Sequence, residues 1–287
     1  MPRTSSSRKA RRQAGISQAT LSLLGLLLAA GAALWGCGED VQLPRPPGDS
    51  VPGASGDTGQ CRDEWRGGIP TLGGNTPTRL LCRQEYVALY DPQRRVPRVV
   101  GEYLVPTEFD GNVQRQDNFV PDPDLPTGES AELNDYRRSG YDRGHMAPAA
   151  DFKSSAQAMA ESFYLSNMVP QNHDMNTGVW AALESATRAC AKDRGGVFVL
   201  TGPVLGKNPA IIGGGVAVPD ALFKVIVSGK EARAFVIPNK DQASDTNFGR
   251  YEVTPEMVEG LTSLTLFPDG SVPLDKPGRF CRGSFGG

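Results

Sequence analysis

The chain has 287 residues, 39% of them apolar and 22% charged, with 34 Gly and 23 Pro. That is the composition of a soluble, turn-rich globular protein, and it excludes a coiled coil, a collagen and a polytopic membrane protein. Lys and Arg number 30 against 32 Asp and Glu, a net −2, but Arg3, Arg8, Lys9, Arg11 and Arg12 all precede residue 37 and no acid does. Beyond that point 25 cations face 32 acids, a net −7. This excludes a protein that holds nucleic acid through bulk positive charge, so any such contact has to be local.

The basic stretch Arg8 to Arg12 precedes an apolar run from about Ala19 to Trp35, the order of an export signal. Leu34-Trp35-Gly36-Cys37 resembles the lipobox of bacterial lipoproteins, which implies a signal peptide over residues 1–36, cleavage before Cys37 and lipidation of Cys37. An uncleaved anchor or an ordinary secretory signal are the alternatives. The expected location is therefore the cell envelope, lipid-anchored in the periplasm or outer membrane, or else the secreted fraction. Residues 37–60, rich in Pro, Gly, Ser and Asp, cannot bury enough apolar surface to offset their ordering entropy and read as a disordered tether. Residues 61–287 are expected to form one domain.

Within that domain, Leu80–Tyr90 and Arg98–Val105 read as strands separated by the turn formers Asp91-Pro92-Gln93. Ser154–Phe163 reads as a short helix. A longer helix is expected from Asn176, as its cap, to about Ala191, stopped before Gly195-Gly196. Gly195–Val204, Val216–Val227 and Ala232–Ile237 read as further strands, and Pro255–Leu264 as a helix opened by proline. Strands on both sides of one main helix, without βαβ alternation, predict an α+β fold: a mainly antiparallel central sheet with flanking helices.

Five cysteines stand at 37, 61, 82, 190 and 281. With Cys37 lipidated, Cys61, Cys82, Cys190 and Cys281 remain for two disulfides, with three connectivities open; Cys61 to Cys82 is the shortest closure. A zinc site is disfavoured because no CxxC occurs and the chain has only two histidines.

The densest polar cluster is Tyr141-Asp142-Arg143-Gly144-His145, followed by Ser166-Asn167 and by Asn176 through Glu184. A neutral histidine is suited to deprotonate water at physiological pH, and Arg143 offers a fork of donors to phosphate. Gly144 would let a ligand approach the backbone closely, and Asp142 could orient a side chain. Asn176 supplies the kind of hard oxygen that Mg²⁺ accepts while keeping most of its waters. Glu184, eight residues on, lies about 80° around a regular helix from it. Trp180 and Leu183 read as core positions. His173 reads as a surface loop residue with no role. Gly213-Gly214-Gly215 lacks the Lys-Ser/Thr of a P-loop and reads as a turn. Arg137-Arg138 with Arg143, and Arg94-Arg95 with Arg98, are phosphate-steering candidates whose default is a solvated face. No Gly-x-Ser-x-Gly elbow exists to support a serine hydrolase.

Asp142-Arg143-Gly144-His145-Met146-Ala147-Pro148-Ala149, then Phe163 through Gln171, then Asn176-x-x-x-Trp180-x-x-x-Glu184 resemble, in order, the sugar-non-specific DNA/RNA endonucleases, the ββα-metal nucleases that include mitochondrial endonuclease G. The likeness extends from about Leu81 to Phe267. It implies a ββα-metal active-site motif, with His145 as general base and Asn176 as the one direct protein ligand to Mg²⁺, for which Mn²⁺ is a substitute. It further implies Glu184 as the acid that holds the ion's waters, Asn167 as support for the histidine or scissile-phosphate region, Arg143 as the motif's arginine among the catalytic residues, and Arg115 as a phosphate-binding group. DNA and RNA would be the substrates, cut without sequence specificity. The alternatives are a phosphodiesterase or pyrophosphatase acting on smaller substrates and a non-catalytic envelope lipoprotein that binds nucleic acid.

Overall fold

In a computed structural model that describes Cys61, residues 68–242 and residues 246–286, the Leu80–Tyr90 run is two strands rather than one. These are β1 (Arg79–Cys82) and β2 (Tyr86–Asp91), divided by a turn in which the Arg83 amide donates to the Tyr86 carbonyl at 2.8 Å. The chain returns along β3 (Val96–Leu104) and later forms a separate antiparallel pair, β4 (Asp142–His145) with β5 (Met168–Gln171). Next come β6 (Val197–Val204), β7 (Ala221–Ser228), β8 (Glu231–Pro238) and β9 (Glu252–Val253). The run expected over Val216–Val227 breaks around Pro219. Its first part, Val216–Ala217, pairs with Ile211–Ile212 across the turn at Gly213–Gly215, and β7 begins only at Ala221.

The central sheet runs β9-β8-β7-β6-β3-β2-β1, every neighbour antiparallel. The α+β architecture expected from the sequence is the one observed. Alternation along β6 sends Val197 and Val199 to one face and Phe198 and Leu200 to the other, and both sets are buried. The first face lies under Trp180, Leu183 and Ala186 and under the β4–β5 pair; the second lies under Val258, Leu264 and Leu266. Coverage on both sides is why these strands read as nearly continuous apolar runs.

The longer helices are α1 (Ala156–Glu161), α2 (Ala181–Arg194) and α3 (Pro255–Thr262), and a terminal turn α4 spans Arg282–Phe285. Ser155 caps α1 and Thr254 caps α3, each side chain accepting a backbone N–H from the first turn. Helix α2 stops at Gly195, whose φ of 72° is the left-handed conformation that glycine adopts without a Cβ penalty.

The disulfides are Cys61–Cys82 and Cys190–Cys281. The second ties α4 to α2 across 91 residues and holds Phe285 against Phe235, 5.2 Å between ring centroids. Converting Cys190 and Cys281 together to serine should lower unfolding stability by about 4 kcal/mol, more than the loss from opening the shorter Cys61 loop. Denaturant melts of the two double-serine variants check the ranking. The expected signal peptide, lipidation at Cys37 and the tether fall on residues 1–60, outside the described residues. Among the described residues no helix is long and apolar enough to cross a membrane.

Candidate active site

Strand β4 carries the Asp-Arg-Gly-His motif antiparallel to β5, with Asp142 opposite Gln171 and His145 opposite Met168. Gly144 is required here by packing. A Cβ on it would lie 2.0 Å from Cδ of Gln171, so the space expected to admit a ligand is filled by the partner strand's own side chain. Asn167 is fully buried and spends its carboxamide on the backbone. Its Oδ1 accepts the Ala147 amide and its Nδ2 donates to the carbonyls of Ala147 and Ser162, all at 2.9 Å. It braces the chain at Ala147, two residues after His145.

His145 is half-buried between two phenyl rings, Phe119 at 5.7 Å and Phe163 at 5.1 Å between centroids. Its Nε2 is enclosed and meets no hydrogen-bond partner among the described residues, which leaves Nδ1 as the nitrogen able to reach water. Burial, reinforced by the charges of Arg115 and Arg143 and opposed by Asp117, lowers its pKa to about 3. The imidazole is therefore an uncharged base throughout the neutral range. Arg143 is exposed and has no ion-pair partner among the described residues; Arg115 pairs with Asp117 at 2.7 Å, both well exposed.

Asn176 does not cap the helix, as the sequence led us to expect. The cap is Asn172, whose side chain accepts the Met175 amide at 3.1 Å. The chain then makes one turn at His173–Met175, passes through a wide π-helical turn over Asn176–Trp180, and enters α2 only at Ala181. Gly178 leaves helical geometry inside that turn (φ −99°, ψ −107°), so the regular 80° separation of Asn176 and Glu184 does not apply. π-turns inside helices recur at functional sites because they re-aim a side chain. Here the turn delivers Nδ2 of Asn176 to Oδ2 of Asp142 at 2.9 Å. A carboxylate accepts only, so it fixes the amide orientation and leaves Oδ1 of Asn176 for another partner. His173 is exposed, as expected, and its Nδ1 lies 2.9 Å from the same Asp142 oxygen. Asp142 and His145 sit at opposite ends of β4, about 10 Å apart at the usual rise per residue.

A lone carboxamide oxygen is a hard donor and suits Mg²⁺ or Mn²⁺ better than a soft metal. Among the described residues no group of three or more His, Cys, Asp or Glu side chains is arranged to hold a metal, so an ion at Asn176 would keep most of its water shell.

Glu184 faces a buried charge network under α2 that the sequence reading missed. Lys224, 1% exposed on β7, donates from Nζ to Oγ1 of its cross-strand neighbour Thr201 at 2.7 Å, and Arg188 pairs with Asp151 at 2.7 Å. Glu102 on β3 is also buried, and its Oε2 has no hydrogen-bond partner among the described residues. Desolvation, followed by the nearby charge of Asp151, holds Glu102 well above the ordinary carboxylate range. Desolvation likewise lifts Glu184 from 4.5 to about 7, opposed by Lys224. The available signal was a Lys and a Glu at inward positions of strands otherwise apolar.

Between about pH 4.5 and 7 folded Glu184 keeps a proton that the unfolded chain has released. Its burial therefore costs stability increasingly as pH rises through that interval. Glu184→Gln removes the ionisation, so in metal-free thermal melts its stability relative to wild type should climb across those values and stay level below them. A level difference throughout would contradict the assignment.

The remaining candidates resolve structurally. Arg95 pairs with Asp135, Arg98 pairs with Asp91 at 3.5 Å and donates to the Thr262 carbonyl, and neither joins a steering patch. Arg137 and Arg138 are exposed. Gly213–Gly215 forms a turn, as expected: its Gly214 amide donates to Asp135 at 2.6 Å, and a Cβ at Gly213 would strike the Asp135 backbone.

Residues 68–272 match the family model described as DNA/RNA non-specific endonuclease. The chain belongs to that family. It is 39% identical over 204 residues to a mitochondrial EXOG nuclease of Danio rerio (64% of this chain, 59% of that protein) and 37% over 213 residues to the Homo sapiens protein (67% and 58%). A mitochondrial nuclease of Saccharomyces cerevisiae is 36% identical over 234 residues, 71% of this chain and 69% of that protein. The chain thus spans less than two thirds of the length of the EXOG relatives. Among solved structures, EndoG in its complex with EndoGI superposes with a TM-score of 0.65 at 32% identity, over 74% of this chain and 91% of that one. All three motif blocks fall within the endonuclease match, whereas Cys281 and α4 lie beyond it.

Proposed function

We propose that this protein is a divalent-metal-dependent endonuclease that hydrolyses phosphodiester bonds in DNA and RNA without sequence specificity. The observation that carries the reading is the placement of His145 at the end of β4, on the same face as Arg143, with Nε2 enclosed and no carboxylate hydrogen-bonded to the ring among the described residues. An imidazole nitrogen open to water beside guanidinium donors combines an acceptor for water's proton with groups that bind an anionic phosphodiester.

His145 would take the proton of the attacking water at Nδ1 as oxygen bonds to phosphorus in line with the departing 3′ oxygen. Arg143 and Arg115 would hold non-bridging phosphate oxygens with their N–H groups. Oδ1 of Asn176, freed by Asp142, would hold Mg²⁺ or Mn²⁺, and Glu184 would offer an acceptor beside it. When bound, the ion supplies Lewis-acid charge to the phosphate and the leaving oxygen. Contacts confined to phosphate give indifference to the sugar, because base edges and the 2′-hydroxyl go unread. The export signal and the two disulfides favour action in an oxidising compartment, with the domain tethered from lipidated Cys37.

The test incubates supercoiled plasmid and single-stranded RNA with the protein, with Mg²⁺ and with EDTA. Both polymers should be degraded and EDTA should stop the reaction. Hydrolysis of a nitrophenyl phosphodiester without plasmid nicking, or binding without cleavage, would refute the proposal.

A further inference from the structure

Three rings meet at the end of β4. Phe119 and Phe163 stand edge-on at 5.0 Å and His145 stands edge-on to Phe163 at 5.1 Å, with Phe119 5.7 Å from His145. Each phenyl carries a guanidinium. Cζ of Arg143 lies 4.3 Å from the Phe119 centroid, and Cζ of Arg115 lies 5.1 Å from that of Phe163. Alternation along β4 puts Arg143 and His145 on the same face, so one half-buried ring, Phe119, touches both. The segment bearing Phe119 is pinned in turn. The Val120 amide donates to the Phe163 carbonyl at 3.3 Å, and the Leu165 amide donates to the Val120 carbonyl at 2.9 Å.

No buried acid fixes either arginine: Arg143 lacks an ion pair among the described residues, and Arg115 has only the exposed Asp117. A carboxylate in that place would compete with a phosphate for the same N–H donors. A ring face attracts the guanidinium while leaving those in-plane donors open. An arginine already ordered by stacking loses less freedom when it engages a ligand.

We propose that Phe119 is a positioning residue: it stacks Arg143 so that its N–H fork points at a nucleic-acid phosphate beside His145. Buried Phe163 backs Arg115 in the same way. The inference rests on the nuclease reading above. It assigns the rings a task that core packing alone does not, since Phe119 stays half-exposed at the rim of a polar site.

The experiment is a double-mutant cycle on cleavage of a fluorogenic DNA duplex, comparing wild type, Phe119→Leu, Arg143→Ala and the double variant, with His145→Ala as control. Phe119→Leu should lower kcat/KM by about threefold to tenfold, and Phe119→Tyr should restore it. In the Arg143→Ala background the leucine substitution should cost nothing further. A leucine variant equal to wild type, or an equal loss in both backgrounds, overturns the proposal. Cleavage by wild type that falls by about 10²-fold or more in His145→Ala establishes the nuclease reading within the same assay. If wild type does not cleave, that reading falls, and NMR of the Arg143 Nε–H decides the placement. An upfield ring-current shift lost in Phe119→Leu supports it, and no such shift in wild type overturns it.

Discussion

Replacing His145 by alanine should cut plasmid and RNA cleavage by about 10²–10⁴-fold, the usual contribution of a positioned general base. The native imidazole sits between Phe119 and Phe163, and burial keeps it uncharged down to about pH 3. Its base form is therefore fully present wherever the enzyme works. The variant retains Arg143, Arg115 and Asn176, so residual activity above the uncatalysed rate is expected. Stability supplies an independent readout. In the unfolded chain His145 takes up a proton below about pH 6.5, whereas in the folded protein it does so only near 3. Wild type therefore loses stability from this residue as pH falls through that window, and His145→Ala does not. The melting temperature of the variant should gain on wild type between pH 6 and 4. Cleavage by the variant at the wild-type rate would remove His145 from the reaction, whatever the melts show.

The ordered blocks at 142–149, 163–171 and 176–184 were legible because each holds polar residue types that cost stability unless they are used. The main helix and the strands were legible because their apolar spacing matches what the two faces of the sheet bury. Pairing geometry was less so. Arg83 to Glu85 carries no Gly or Pro to mark the turn that splits β1 from β2. The cap at Asn172 competes with an equally plausible Asn176 four residues later, and only the wide turn around Gly178 decides between them. Periodicity of 3.6 describes a regular helix and says nothing of an inserted π-turn, so the Asn176–Glu184 relation was misjudged. Lys224 and Glu102 escaped notice because a strand pattern scores them as breaks in an apolar run. In the fold the two breaks lie on the same face as Thr201, from the two strands that flank β6, with Lys224 against the Trp180 ring. Long-range placement of that kind depends on strand order, which a local pattern does not contain.

The contact of the wide turn with β4 sets the second large effect, at Asn176. Asn176→Ala should reduce cleavage by about 10²–10³-fold and weaken divalent-ion binding at least as much as the ~10–100-fold that loss of an orienting partner costs. Binding can be read without catalysis, from the rise in melting temperature as Mg²⁺ or Mn²⁺ is added. Asn176→Asp is the sharper test. A carboxylate is ordinarily the better ligand for a hard cation, so donor chemistry alone predicts tighter binding. In this fold the new carboxylate would face Oδ2 of Asp142, now 2.9 Å from Nδ2 of Asn176, and would exchange a hydrogen bond for repulsion. Asn176→Asp should therefore also lose cleavage, and adding Asp142→Asn should restore part of it by returning an N–H donor to the pair. If Asn176→Asp alone matches wild type in cleavage and in metal-dependent stabilisation, Asp142 does not set the carboxamide, and Asn176 Oδ1 is not the oxygen that meets the ion.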